Sequence, residues 1–312
     1  MSDYHIPAMP NEVMAMLACR PGSIIVDGTL GGCGHARLIR DAIAPGGVLV
    51  GIDQDLDAID RAQTFLRSSD VTVHLIRGNF KQLPIYLAGL NIAAVDGILI
   101  DIGLSWHQID KSGRGFSFNR DEPLDMRMDV RLPTTAADLV ATLSEAELTR
   151  LFRDYGEERW AGRIARHLVA RRRHTPVTTS GQLAQVVREA VPESGSRSRK
   201  IHPATKVFMA LRIFVNKELS ALEVFLETAA ELLRPGGRLC VLSFHSLEDR
   251  MVKQRFREME NPCTCPPSFP RCVCNRRPQA RVLTKKVMRP SPEEVGQNPM
   301  ARSTRLRAVE RL

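Results

Sequence analysis

Three aspartates each stand at the end of a short apolar run. Asp27 follows Ile24-Ile25-Val26, Asp53 follows Val48-Leu49-Val50-Gly51-Ile52, and Asp101 follows Ile98-Leu99-Ile100. An acid at the carboxyl end of a parallel strand can accept hydrogen bonds from a ligand, because open α/β sheets bind ligands beyond those ends. Asp27 also opens the run Asp27-Gly28-Thr29-Leu30-Gly31-Gly32-Cys33-Gly34-His35, where glycines permit a tight turn and close backbone approach. Asp53 lies 22 residues after Gly31, the position from which an acid reaches both ribose hydroxyls of an adenosine cofactor. A nicotinamide-dinucleotide loop needs Gly-x-Gly-x-x-Gly/Ala. From Gly32 the third position is Arg37 and from Gly28 the second is Leu30, so an oxidoreductase is disfavoured. A strand–helix turn without a ligand is the plainer alternative, and three acids on one sheet edge argue against it.

The elements that must carry these acids alternate. The pattern predicts helices over 35–42 and 56–66 and strands over 71–76 and 95–100, with Pro45-Gly46-Gly47 as a breaker, hence βαβ units and a parallel sheet covered on both faces. Residues 106–133, rich in Gly, Asp, Arg and Pro, read as a long ordered loop. Helices follow to about 215, with a capping box at Ser144-Glu145-Ala146-Glu147 and with Trp160, Ile164 and Leu168 on one face. A further helical stretch spans 204–233 and closes at Pro235-Gly236-Gly237. Leu239 to Ser243 is again a strand, and an alternating strand over 304–309 is expected at the sheet edge. The order sheet, helices, sheet describes a helical domain inserted into an α/β domain: residues 1–105, then 106–215, then 216–312.

The chain has 312 residues and a net charge of +9. Residues 1–135 hold 12 Lys and Arg against 16 Asp and Glu, whereas 136–312 hold 32 against 19. That asymmetry suits a cofactor-binding front half and a back half that meets phosphates. The basic groups are Arg171-Arg172-Arg173-His174, Arg197-Ser198-Arg199-Lys200, Arg276-Arg277, Lys285-Lys286 and the run Arg302, Arg305, Arg307. No apolar run approaches a membrane span, and the first residues do not resemble a secretory leader, so a cytoplasmic protein is expected. Cysteines there are thiols or metal ligands. Cys263, Cys265, Cys272 and Cys274 could hold zinc tetrahedrally, although a one-residue gap is tighter than usual; reduced thiols in a Pro-rich loop are the alternative.

Seven motifs spread over nearly the whole chain resemble the bacterial 16S rRNA cytosine-N4 methyltransferases. They are His5-Ile6-Pro7, the Asp27–His35 run, Gly97-Ile98-Leu99-x-Asp101, Arg114-Gly115-Phe116-Ser117-Phe118, Pro123-Leu124-Asp125-Met126-Arg127-Met128-Asp129, His202-Pro203-Ala204-Thr205 and Ser243-Phe244-His245-Ser246-Leu247-Glu248-Asp249-Arg250. The resemblance implies a class I methyltransferase (Rossmann-like) sheet with an inserted all-helical substrate-recognition domain. It implies S-adenosylmethionine as methyl donor, and 16S rRNA of the small ribosomal subunit as partner, with the N4 amine of cytosine 1402 as target. It is compatible with a homodimer. The cofactor contacts it implies are Cys33, Gly34, His35, Asp53, Phe80, Asp101 and Gln108. In two places the chain departs from the pattern: Cys33 replaces a glycine, and Trp106-His107 replaces Ser-Pro before Gln108.

The cytosine amine is a poor nucleophile, so the protein must align it and supply acceptors for the charge that develops on nitrogen. Asp101 and Ser105 are the candidates, while Asp101 as a cofactor ligand alone is an equal alternative. Trp106, Phe116 and Phe118 could flank an unstacked base, or simply pack. His35 is expected to position the cofactor loop, and His245 to cap a helix or touch RNA. A ribosome-assembly protein with a degenerate methyltransferase fold is the alternative from another functional class.

Overall fold

The computed structural model describes residues 6–192, 202–266 and 273–312. It divides into two compact units, one formed by the described residues up to Gly103 together with those from Leu219 onward, the other spanning Leu104–Glu218.

The first unit is a mixed sheet of strands β1 (Ile24–Asp27), β2 (Gly47–Asp53), β3 (Val71–Arg77), β4 (Val95–Asp101), β5 (Leu233–Ser243), β6 (Ala280–Val282) and β7 (Arg305–Arg311). Their order is β3-β2-β1-β4-β5-β7-β6. The first five run parallel, while β7 is antiparallel to both its neighbours. The class I methyltransferase sheet implied by the sequence is therefore present. Strand residues alternate between two buried clusters, as a pleat with period two requires. Val26, Val50, Ile98, Ile100 and Val241 pack with Leu222, Phe225 and Phe256. Ile25, Leu49, Leu99, Cys240 and Leu242 pack on the other face with Val13, Ile39 and Ile43. Helices α1 (Pro10–Leu17), α2 (Gly34–Ile43), α3 (Leu56–Phe65) and α4 (Leu83–Gly89) belong to this unit.

Three expectations change. The stretch 204–233 is not one helix: Lys217, at φ 51°, breaks it into α10 (Thr205–Asn216) and α11 (Glu218–Thr228). Pro235-Gly236-Gly237 does not end a helix but lies inside β5, where the register with β4 shifts between Val95 and Gly97. The last strand is not at the edge, because the three-residue β6 pairs along its outer side, and Leu306 to Val309 are buried without alternation.

The second unit holds α5 (Trp106–Asp110), α6 (Ala136–Thr142), α7 (Glu145–Asp154), α8 (Ala161–Arg172), α9 (Ser180–Ala190) and α10. Leu148, Leu151, Phe152, Ile164, Leu168, Leu183, Val187 and Leu211 form its core. Trp160 is the residue before α8 and only packs against that core. Capping boxes start α5, α6, α7 and α9, through Ser105/Gln108, Thr135/Asp138, Ser144/Glu147 and Thr179/Gln182.

The expected loop opens with α5 and is otherwise irregular, yet it is tightly held. Arg114 donates to the carbonyls of Arg127 (2.9 Å) and Met128 (3.1 Å). Asn216 accepts from the Met128 amide (2.7 Å) and donates to the Met126 carbonyl (2.8 Å). Asp125 takes two hydrogen bonds from the Arg127 guanidinium, which holds its carboxyl below the usual carboxylate range. The two long motifs of this region thus brace a segment that makes few ladder bonds of its own.

Candidate functional site

The sheet order reverses between β1 and β4, and a crevice at the carboxyl ends of two such strands is where this topology admits a ligand. Asp27 and Asp101 end those strands, and Asp53 ends the adjacent β2.

The glycine-rich loop is stitched to both neighbouring strands. The Gly28 amide donates to Leu99 O (2.9 Å) and the Leu30 amide to Ile52 O (3.0 Å). The Gly31 amide donates to one Asp53 oxygen at 2.8 Å, and the Asp55 amide to the other at 2.9 Å. The Asp101 amide donates to Thr29 Oγ1 at 2.7 Å. Gly28 is tightly packed: a Cβ there would lie 2.5 Å from Ile100 Cδ1 and 3.2 Å from Phe80 Cβ, so the Ile100 side chain would have to shift. A Cβ on Gly34 would press on Pro7 at 2.9 Å, which explains why Ile6-Pro7 accompanies the loop motif; His5 lies outside the described residues.

Cys33 sits at φ 63°, ψ 18°, immediately before α2, with its side chain fully buried. A glycine would adopt this left-handed geometry without penalty; a side-chain-bearing residue gives up about 1–2 kcal/mol. The cysteine offsets the strain by filling the core beside Leu30 and Ile39.

His35 is buried and neutral, its pKa lowered to about 4 by burial. Its Nε2 lies 2.9 Å from Ala8 O, so Nε2 carries the proton and donates. Nδ1 is then the acceptor, 3.7 Å from an Asp101 oxygen. This ring holds the N-terminal segment over α2 through Ala8, and a base with so low a pKa is charged only in acid.

Burial pushes the Asp53 carboxyl up to about 6, with the charge of Asp55 adding and the Asp55 and Gly31 amides opposing. Burial also raises Asp27 well above the usual range; the Thr29 amide opposes it, and the charges of Asp101 and Asp53 add to it. One Asp27 oxygen is buried without a hydrogen-bond partner. Such a cluster of acids is costly alone and suits a cationic ligand. S-adenosylmethionine bears a sulfonium and an ammonium, so the donor set fits it.

Phe80 is buried and meets Phe225 edge-on, with ring centroids 5.6 Å apart. Ser105 and Gln108 belong to the second unit. Ser105 Oγ accepts from the Gln108 amide at 3.2 Å, and Gln108 Oε1 from the Ser105 amide at 3.0 Å. Phe116 is packed in the core of that unit. Phe118 stacks on His202 with centroids 4.4 Å apart and meets Phe208 edge-on. Both rings are therefore packed rather than presented to a base, and Trp106 alone of the three is exposed. His245 caps α12 (Ser246–Glu260): Nδ1 accepts from the Glu248 amide, while Nε2 stands 2.7 Å from Glu248 Oε1 without hydrogen-bond alignment. Buried in this way, it is a cap and not an RNA contact.

The chain matches the family model described as the MraW methylase family over residues 2–312. The chain belongs to this family. Relatives from Desulfosudis oleivorans and Geobacter sulfurreducens, each named ribosomal RNA small subunit methyltransferase H, are 54% and 50% identical over 312 residues, covering all of both chains in each case. A relative of the same name from Symbiobacterium thermophilum is 49% identical, covering all of this chain and 98% of its own. Membership makes the protein a methyltransferase that uses S-adenosylmethionine.

Two residues that brace these segments carry little signal in the sequence. Thr29 ties the loop to Asp101, and its only signal is a hydroxyl inside a glycine run. Asn216 gives none, because its partners lie 88 and 90 residues away.

Proposed function

We propose that this protein transfers a methyl group from S-adenosylmethionine to rRNA of the small ribosomal subunit, and specifically to the N4 amine of cytosine 1402 of 16S rRNA. The observation that carries the reading is full-length similarity, at 54% identity, to a relative bearing the name ribosomal RNA small subunit methyltransferase H. A small-subunit substrate puts the protein in the cytoplasm; among the described residues no helix is long and apolar enough to cross a membrane.

In this reading the cofactor is held by Cys33 and Gly34 through their backbone, by His35 through the loop it fixes, and by Asp53, Phe80, Asp101 and Gln108. Bound S-adenosylmethionine supplies an electrophilic methyl group on a cationic sulfur. Asp53 accepts from the ribose hydroxyls through lone pairs left over after its two amide bonds. Asp101 accepts from the target amine and favours the positive charge that develops on nitrogen, then takes or relays the proton released when the carbon–nitrogen bond has formed. The Ser105 hydroxyl, with one lone pair committed to capping α5, is a second acceptor at most. The helical unit recognises rRNA. Arg163, Arg171 and Arg173 are exposed on or just after α8, and carry the phosphate contacts. Arg172 contributes less, since it donates to Val140 O at 2.6 Å. Arg307 is withdrawn from RNA by its 2.6 Å pair with Asp249. Arg197-Ser198-Arg199-Lys200 lies outside the described residues.

The test is methylation of small subunits isolated from a strain lacking the endogenous enzyme, followed by nuclease digestion and mass spectrometry of the fragment containing cytosine 1402. N4-methylcytidine there is expected. A methyl group on another nucleotide, or on the ring carbon, overturns the target; no methyl group on any rRNA, with S-adenosylmethionine still bound, overturns the reading itself.

A further inference from the structure

The chain leaves α12 at Glu260 and returns to the sheet at Ala280, where β6 begins. The stem of the intervening loop is closed: the Asn261 amide donates to Arg257 O (2.7 Å) and the Gln279 amide to Met259 O (2.8 Å). The Val282 amide donates to Glu260 Oε1 at 2.8 Å. Within 261–279 none of the described residues is buried, and none lies in a helix or strand. The described part of this loop therefore takes no support from the core.

Within that loop the Sγ atoms of Cys263, Cys265 and Cys274 all lie within 4.8 Å of one another. Cys263 and Cys274 are 3.8 Å apart, sulfur to sulfur. A disulfide would put them about 2.05 Å apart. A tetrahedral zinc with Zn–S bonds of about 2.3 Å has a sulfur–sulfur edge of about 3.8 Å, which is the distance observed. A second feature points the same way: the Val273 amide donates to Cys265 Sγ at 3.3 Å. Such outer hydrogen bonds orient metal-bound ligands.

We propose that Cys263, Cys265 and Cys274 hold a structural zinc ion that closes the loop between α12 and β6. The sequence leaves zinc and plain reduced thiols as alternatives at these positions; the sulfur spacing and the Val273 amide support the metal. Cys272 lies outside the described residues, and the proposal rests on the other three. Zinc binding displaces the thiol protons, so affinity rises with pH. The exposed Arg276 and Arg277 follow closely on the last ligand, so the ion fixes the start of that basic pair as well.

The full-length protein, produced in zinc-supplemented medium and purified without chelator, should carry one zinc per chain by elemental mass spectrometry. Replacement by Co²⁺ should give thiolate-to-metal charge-transfer bands of an intensity that requires three or more thiolates. C263S and C274S should each lose the metal, whereas C19S should keep it, and retained S-adenosylmethionine binding will show that the variants are folded. Chelation of the unmodified protein should speed tryptic cleavage after Arg276, and added Zn²⁺ should reverse this; the bond after Arg277 precedes Pro278 and resists trypsin. Background zinc with no cobalt bands overturns the proposal, as does zinc retained in C263S and C274S, or a freshly purified mass two hydrogens short from a disulfide. None of these readouts depends on which nucleotide the enzyme methylates.

Discussion

In the first unit the three strand-end acids are partly or wholly buried, and backbone amides hold them in place: Thr29 on Asp27, Gly31 and Asp55 on Asp53, Gly103 on Asp101. In the second unit the charges of α8 sit on long side chains in solvent, where Arg166 reaches Glu145 only at 3.5 Å with both groups exposed. The first arrangement fixes direction before a ligand arrives, in surroundings where a charge is worth several times its value in water. The second fixes little in advance and is screened by salt, but it attracts a polyanion from any approach. In the proposed reaction the former would align the methyl carbon with the target amine, and the latter would hold the rRNA.

The sharpest way to break this contrast is Asp101→Asn. The amide keeps the shape and one acceptor but loses the charge, so single-turnover methyl transfer at saturating cofactor should slow by on the order of 10²–10³. Full recovery of the rate at saturating S-adenosylmethionine would reduce Asp101 to a cofactor ligand.

Next in size is Asp53→Ala. Two ribose hydrogen bonds worth about 0.5–1.5 kcal/mol each, or more to a charged acceptor, predict cofactor binding weakened roughly ten- to a hundredfold by calorimetry. The same carboxyl gives a pH signature. With its pKa raised to about 6, it is ionised above that value and protonated below, where it loses acceptor capacity. Affinity in the unmodified protein should therefore fall as pH drops through about 6, and Asp53→Asn should remove that component of the fall. His35, lowered to about 4, does not titrate in this window. A variant with the same pH profile as the unmodified protein would remove Asp53 as the source of the titration.

The surface arginines should behave otherwise. Reversing Arg171 and Arg173 should flatten the logarithmic salt dependence of RNA binding by about 0.7–0.9 for each phosphate no longer neutralised, while cofactor affinity stays unchanged. A slope unaltered within error would move the RNA-binding surface off α8.

The smallest effect belongs to Cys33→Gly. Relief of about 1–2 kcal/mol of left-handed strain is set against reduced burial and a more flexible unfolded chain, so urea unfolding should shift by no more than about 1 kcal/mol. A large loss of stability would mean that the buried sulfur, rather than the turn, governs this position.

Much of the candidate cofactor edge was legible because its signals are local. Each acid directly follows an apolar run, and the glycines that bend the loop are contiguous with Asp27, so short windows of sequence carry both facts. The roles of Phe116, Phe118 and Arg307 were not legible, since each depends on a partner far along the chain: a helical core for Phe116, His202 for Phe118 and Asp249 for Arg307. An aromatic in a loop or an arginine in a basic run looks the same in sequence whether it is packed or presented.

The alternation of strand and helix, the acids and glycines at the strand ends, the capping box at Ser144 and the family are written in the chain itself, because these follow from period, adjacency and motif. That β6 covers β7, that Asn216 clamps Met126 and Met128, that Cys33 takes a left-handed turn, and that three cysteine sulfurs come within 4.8 Å of one another emerge with the three-dimensional fold alone. Those outcomes depend on which distant segments share space once the core closes, and neither propensity nor local spacing encodes that.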